Sequence, residues 1–276
     1  MLTQLEIDSY NELGYIGVQD VLTSEEVQKL RVVTDNLVEE SRKITVSDEV
    51  FDLEPEHTPD SPKVRRIKSP ISVHPIFDQI IRHSGILDRV AQLIGPDIRT
   101  NGNKLNMKLS EVGSAVEWHQ DWAFYPHTND DILAVGVCLD DMTKENGCLL
   151  VVPESHKGPI LDHHLDGYFA GAVTDESFDD SDAKKIELRA GGVSIHHVRA
   201  LHGSLPNTSS NQRRLLLFQY CAGDSWPLSG IDWDGYKSSF LRGQAANQPR
   251  VVDVPVRMPF PGSKRTGSIY ETQTIL

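Results

Sequence analysis

Apolar positions along this chain change their spacing near residue 96. Before that point they recur every three or four residues. In "LTSEEVQKLRVVTDNLVEE", Val27, Leu30, Val33 and Leu37 fall on one face of a helix. Thr23 or Ser24 stands where an N-cap belongs, and Glu25 and Glu26 follow in the first turn, where the helix dipole favours acids. The spacing predicts helices over 3–13 and 24–40, with a short strand in "GYIGVQDVL" between them. Helical periodicity returns in "PIFDQIIRHSGILDRVAQLIG" (75–95) and is expected to run on to the stop signal of Gly95 and Pro96. The stretch 43–64 carries many acids with Pro55, Pro59 and Pro62, and reads as a surface loop with little regular structure.

After Pro96 the pattern is one of short apolar runs separated by Gly, Pro, Asn and Asp. "LNMKLS", "ILAVGVCLD", "CLLVVP", "GGVSIHHV" and "RLLLFQY" are such runs, as expected for a sandwich or barrel of short strands. The expected fold is mainly β, with the helical N-terminal third packed against the sheets as one domain over 1–276. No repeat of 20–50 residues interrupts this reading. The polar, acidic "VTDESFDDSDAKK" (173–185) reads as a mobile insertion between strands rather than a lid.

Composition narrows the partners. The formal net charge of −13 over 276 residues disfavours nucleic acid and anionic membranes. A hydrophobic share of 38% is enough for a sizeable core, so disorder is not expected. The three cysteines, Cys138, Cys148 and Cys221, have no metal-type spacing. The opening "MLTQLEIDSY" has no basic stretch followed by an apolar one, and "QTIL" is not a peroxisomal address. No run of 18 apolar residues suggests a membrane span. A cytoplasmic location with reduced thiols is the expectation.

The chemistry centres on "EWHQDW" (117–122). In a continuous strand, Glu117, His119 and Asp121 would share one face, and Trp118, Gln120 and Trp122 the other. An imidazole and a carboxylate are two of the three ligands in the 2-His-1-carboxylate arrangement on Fe(II). Taken alone, the pair is a weak signal and reads more readily as a surface hydrogen bond, since such pairs arise by chance in many proteins. "GGVSIHHVRALHGSLPNTSSNQRRLLLFQY" offers a third ligand in His196, His197 or His202. His196 and His197 end an apolar strand and read as ordinary buried, hydrogen-bonded histidines, whereas His202 opens a turn-rich segment. Arg213 begins the apolar strand eleven residues later. A guanidinium there suits an anion, and a dicarboxylate matches its planar fork. One of Arg213 and Arg214 is expected to be solvated.

"WHQDWAFYPHTNDDILAVGVCLDDMTKENGCLLVVPESHKG" followed by "HGSLPNTSSNQRR" resembles the phytanoyl-CoA dioxygenase family of Fe(II)/2-oxoglutarate oxygenases. The opening "LGYIGVQDVLTSEEVQKL" is similar to the family's N-terminal region, so the resemblance runs from about residue 5 to about residue 225. It implies a double-stranded β-helix (jelly roll) with helices outside. His119, Asp121 and His202 match the iron triad, and Arg213 matches the residue that binds the distal carboxylate of 2-oxoglutarate. Ser204 matches a further co-substrate contact. Lys108 matches a lysine that contacts 2-oxoglutarate in the ectoine hydroxylase branch. The implied reaction consumes 2-oxoglutarate and O2, releases succinate and CO2, and hydroxylates an unactivated C–H bond of a small organic metabolite.

Related halogenases have Ala or Gly where this chain has Asp121, so hydroxylation is favoured over halogenation. Desaturation or cyclisation on a natural-product scaffold uses the same chemistry. A non-catalytic jelly-roll binding protein and a cupin-type isomerase are the readings from other classes; the full triad and Arg213 argue against both. Gly136 stands where many relatives have Trp, which suggests a wider pocket or one filled by Trp122 or Tyr125. Trp118, Trp122, Phe124, Tyr125 and His127 are candidate pocket walls. The acidic surface is a poor match for a CoA tail, with "KVRRIK" (63–68) the one local basic patch. The sequence specifies neither the substrate nor the oligomeric state.

Overall fold

The structure is a computed structural model that describes residues 1–110, 113–257, 262–264 and 267–276. Helices α1 (Gln4–Leu13) and α2 (Ser24–Glu40) flank strand β1 (Tyr15–Val18), as the spacing predicts. Both helices start with a capping box, Thr3 with Glu6 and Thr23 with Glu26, which satisfies backbone N–H groups that lack intrahelical partners.

Two expectations for the next region need correction. The stretch 43–64 is not all loop: β2 (Phe51–Leu53) pairs with β3 (Val64–Lys68). Phe51 and Leu53 are buried, and the acid between them, Asp52, meets Lys68 Nζ at 3.5 Å, so the strand is hidden among charges. After α3 (Pro70–Val73), the run 75–95 is two helices, α4 (Pro75–Ile81) and α5 (Ser84–Ile94). Phe77, Ile80 and Ile81 are buried on the first, and Ile86, Leu87, Val90 and Ile94 on the second. At about 100° per residue, one straight helix would turn the second set roughly a third of a turn away from the first. The break at Arg82 and His83 lets both sets face the core.

The β part comprises β4 (Ile98–Lys108), β5 (Val116–His119), β6 (Ile132–Cys138), β7 (Leu149–Val151), β8 (His164–Leu165), β9 (Tyr168–Phe169), β10 (Lys184–Ile186), β11 (Val193–His197), β12 (His202–Ser204) and β13 (Arg213–Ala222), followed by α6 (Trp233–Ser238), β14 (Phe240–Arg242) and α7 (Ile269–Thr272). One antiparallel sheet runs β1-β11-β6-β13-β4-β3-β2, with β14 also on β4. A second runs β10-β7-β12-β5, and β8 pairs with β9.

Strand β13 shows how the sheets define two compartments. Leu216, Phe218 and Tyr220 join the core shared with α4 and α5. Arg213, Leu215, Leu217 and Gln219 alternate with them and point towards the smaller sheet. A strand buried on both faces reads as an unbroken apolar run, which is why "RRLLLFQY" shows no alternation. The insertion 173–185 is docked: Phe178 packs on Trp118 at 5.6 Å between ring centroids, and Trp118 Nε1 donates to Asp180 at 2.8 Å. Trp118 therefore holds this insertion instead of lining the pocket.

Candidate active site

His119 on β5 and His202 on β12 are cross-strand partners, which sets their rings side by side at 4.1 Å between centroids. The strand ends at His119, so "EWHQDW" is not one extended run. A 3-10 turn over Asp121–Ala123 carries Asp121 inwards, while Glu117 stays exposed. Gln120 fixes this turn: its side chain donates to the carbonyls of Pro159 and Arg199 and accepts from Leu161 N–H. Trp122 is buried behind it, with Nε1 donating to Pro255 O at 2.7 Å.

One ligand atom from each of His119, Asp121 and His202 lies within 4.8 Å of the other two. His119 Nδ1 donates to the carbonyl of Glu117 at 2.8 Å, and His202 Nδ1 to that of Ala200 at 2.9 Å. This tautomer leaves the Nε2 lone pairs free, as metal-binding histidines require. Burial, followed by His202, holds His119 well below the usual imidazole range, and burial also lowers His202. Burial raises the Asp121 carboxyl, but His202, Lys104, His119 and His196 together outweigh it and keep Asp121 ionised. Two neutral nitrogens and one carboxylate oxygen suit a divalent first-row ion with open positions.

These atoms face a cavity between the two sheets with about 40 Å³ of free space. Arg213 lines it and is buried. Its Nη2 donates to Gly147 O at 2.8 Å, but Nε has no partner, and among the described residues no carboxylate forms an ion pair with it. Burial pulls its pKa below the usual guanidinium value. A buried cation without an anion is costly, so the site fits an acidic ligand such as 2-oxoglutarate. Ser204 lines the same cavity.

Lys108 does not line it. Its Nζ donates to Ser114 O at 2.5 Å and Leu205 O at 2.6 Å, and burial followed by Arg213 pushes its pKa down to about 6. Lys104, four residues earlier on the same face of β4, does line the cavity.

Arg214 faces the other way, as strand alternation predicts, but it is not solvated. Its Nε and Nη2 each donate to Asp140 at 2.8 Å, and Nη1 donates to Asp35 on α2 at 2.6 Å. Arg214→Ala should therefore lower stability by about 1.5–3 kcal/mol, the range for a lost hydrogen bond to a charged group, since Asp140 keeps Arg31 at 3.3 Å; chemical denaturation measures this. It should leave 2-oxoglutarate affinity within about twofold, because it lies on the opposite strand face.

Among the adjacent histidines, His197 is an ordinary half-buried residue that accepts from Arg199 N–H at 3.1 Å. His196 is not. Neither of its ring nitrogens has a hydrogen-bond partner, and it lines the cavity, with Nε2 3.9 Å from Asp121 Oδ2. Burial, followed by His202, lowers its pKa to about 3.

Gly136 does not widen the pocket. A Cβ there would lie 2.7 Å from Ser194 Oγ and 3.1 Å from Leu215 Cδ1, so these side chains already fill the space. Gly136→Trp would overpack the sheet instead of only obstructing a substrate. Phe124 packs edge-on to His119 at 5.7 Å, and Tyr125 Oη accepts from Gln219 Nε2 at 2.7 Å. These two side chains stand between the triad and an outer cavity of about 810 Å³. His127 lies outside both cavities; its Nδ1 donates to Tyr125 O at 2.7 Å, and burial lowers its pKa to about 4. Ile269 and Tyr270 of α7 close the inner cavity from another side, with Tyr270 beneath Arg65 and Arg66 at 4.7 and 5.1 Å. The sequence signal for α7 is the capping pair Ser268 and Glu271.

The sequence model of the phytanoyl-CoA dioxygenase family matches residues 10–215. A probable alpha-ketoglutarate-dependent hypophosphite dioxygenase of Stutzerimonas stutzeri is 35% identical over 97% of this chain and 96% of its own length. A methylphosphonate hydroxylase of Gimesia maris is 29% identical over 80% of this chain and 81% of its own. A crystal structure of EctD from S. alaskensis with bound Fe superposes with a TM-score of 0.71 at 22% identity, covering 92% of this chain and 88% of that one. The family match takes in His119, Asp121, His202 and Arg213, which line one cavity, and the chain belongs to the phytanoyl-CoA dioxygenase family as an iron- and 2-oxoglutarate-dependent dioxygenase.

Proposed function

We propose that His119, Asp121 and His202 hold Fe(II), that Arg213 binds the C5 carboxylate of 2-oxoglutarate with Ser204 beside it, and that the enzyme hydroxylates a small substrate. The observation that carries this reading is the buried guanidinium of Arg213, without an ion-pair partner among the described residues, in the cavity that His119, Asp121 and His202 line. The two antiparallel sheets that enclose this cavity are read as the halves of a double-stranded β-helix, within one catalytic domain over 1–276. Iron with 2-oxoglutarate and O2 supplies the oxidising chemistry, with release of succinate and CO2.

The chain's own residues position and protect. Asp121 supplies the carboxylate ligand, which favours hydroxylation over halogenation. Phe124 and Tyr125 screen the triad from the outer cavity and so limit water access. Lys108 keeps the Ser114 and Leu205 backbones in place and takes a supporting role rather than a direct one.

Enclosure of the inner cavity by the two sheets and α7, with Phe124 and Tyr125 between it and the outer cavity, favours a compact substrate. The relatives named for hypophosphite, methylphosphonate and L-proline are consistent with that size. The outer cavity favours a second reading, in which a larger scaffold rests there and extends its reacting bond past Phe124. Three buried free cysteines are in keeping with a cytoplasmic enzyme.

The test is a panel of small substrates with Fe(II)-loaded protein, reading succinate. At least one compact compound should raise succinate formation well above the substrate-free rate. Stimulation by bulky scaffolds alone would favour the second reading, and failure to consume 2-oxoglutarate under any condition would overturn both.

A further inference from the structure

Arg213 is not the only cationic side chain in the cavity. Lys104 stands opposite Leu217 on β13, whereas Arg213 stands opposite Lys108. At the strand rise of about 3.3 Å per residue, the two positions are roughly 13 Å apart along the sheet. Lys104 lines the cavity, and its ammonium has no hydrogen bond or ion pair with any described residue. Across the same sheet, His196 pairs with Ala134, Ala134 with Gln219 and Gln219 with Gly102 of β4, so its backbone stands three strands from Lys104 and the two residues share the cavity that both line rather than a backbone contact. His196 is 1% exposed, lines the cavity and has neither ring nitrogen satisfied. The small side chain of Ala134 on the cavity floor lies next to it. Leaving the buried ring donor of His196 unmatched costs about 1–3 kcal/mol, and half-buried Lys104 adds a charge without an ion-pair partner among the described residues to the same cavity.

Charge identifies that ligand. With a divalent ion and dianionic 2-oxoglutarate in place, Asp121, Lys104 and Arg213 leave one positive charge over, which a monoanion cancels. We infer that Lys104 and His196 form a second anion subsite beside the metal, which holds a compact oxyanion of the primary substrate. The inference rests on the iron and 2-oxoglutarate reading above and adds the class of molecule oxidised. Lys104 supplies charge, and His196 supplies one N–H donor. The names of two relatives, for hypophosphite and methylphosphonate, describe molecules of this kind.

The experiment is calorimetric titration of the full chain loaded with Zn(II), which does not turn over. 2-Oxoglutarate is titrated first, followed by methylphosphonate and hypophosphite, with acetamide as the neutral control. At least one of the two anions should bind the wild type saturably, and acetamide should not. Lys104→Met should weaken that anion at least tenfold while 2-oxoglutarate affinity stays within about twofold. Lys104→Arg should restore most of the loss, and His196→Gln should weaken the anion severalfold if Lys104→Met does not fold. If Lys104→Met weakens 2-oxoglutarate as much as the anion, the lysine serves the co-substrate and the inference is overturned. If the wild type binds 2-oxoglutarate but neither anion more tightly than acetamide, the subsite is wrong while the co-substrate reading survives. Failure of the wild type to bind 2-oxoglutarate would overturn that reading and this one together.

Discussion

Arg213→Ala should weaken 2-oxoglutarate binding by about 2–5 kcal/mol, the range for losing a buried, charge-assisted partner of a carboxylate. The guanidinium is already buried, and its one hydrogen bond within the protein goes to Gly147 O. Its desolvation is therefore met on folding, and the co-substrate gains nearly the whole interaction. Arg213→Lys should recover only part of it, because an ammonium lacks the planar fork that meets both carboxylate oxygens. Titration of 2-oxoglutarate into both variants and into Arg214→Ala checks this. Equal losses at 213 and 214 would contradict the strand-face assignment, since Arg214 is committed to Asp140 and Asp35.

Asp121→Ala should lower Fe(II) affinity by at least about a hundredfold, since even residues that only orient metal ligands are worth 10–100-fold. Substrate-coupled succinate formation should fall to background. In the proposed ligand set the carboxylate is the one anion, and without it two neutral imidazoles would face the ion alone. His202→Ala should have a comparable effect, whereas His196→Ala should retain iron. Metal content after desalting separates the three variants. Full iron retention in His202→Ala, with loss in His196→Ala, would move the ligand set to the neighbouring strand.

The parts of this site that were legible in the sequence are those fixed by short spacing. His119 and Asp121 are two residues apart, and Arg213 follows His202 at a fixed interval on a strand whose apolar run identifies it. What joins them is the register of β5 against β12, a long-range pairing that no local window contains. The route to Asp121 was misread: alternation suggested a common strand face, whereas a turn held by Gln120 delivers the carboxylate. Lys104 and Tyr270 were missed, and His196 was read as an ordinary hydrogen-bonded histidine, for the same kind of reason. A lone Lys, His or Tyr acquires meaning only when the sheets and α7 enclose one space. The helix break at Arg82 and His83 and the strand at Phe51–Leu53 were obscured because burial in the assembled core overrides local pattern. The role given to Gly136 failed because its neighbours, Ser194 and Leu215, come from other strands.

The closure of the cavity by α7 has a consequence for fidelity. Two walls of the reaction chamber, Ile269 and Tyr270, are supplied by a four-residue helix. A helix this short has little stability of its own and is held by packing, here including the stack of Tyr270 under Arg65 and Arg66. Loosening that stack is expected to admit water to the inner cavity. On the proposed function, co-substrate would then be spent without product, and the economy of the enzyme would depend on a contact remote in sequence from the residues proposed to perform its chemistry.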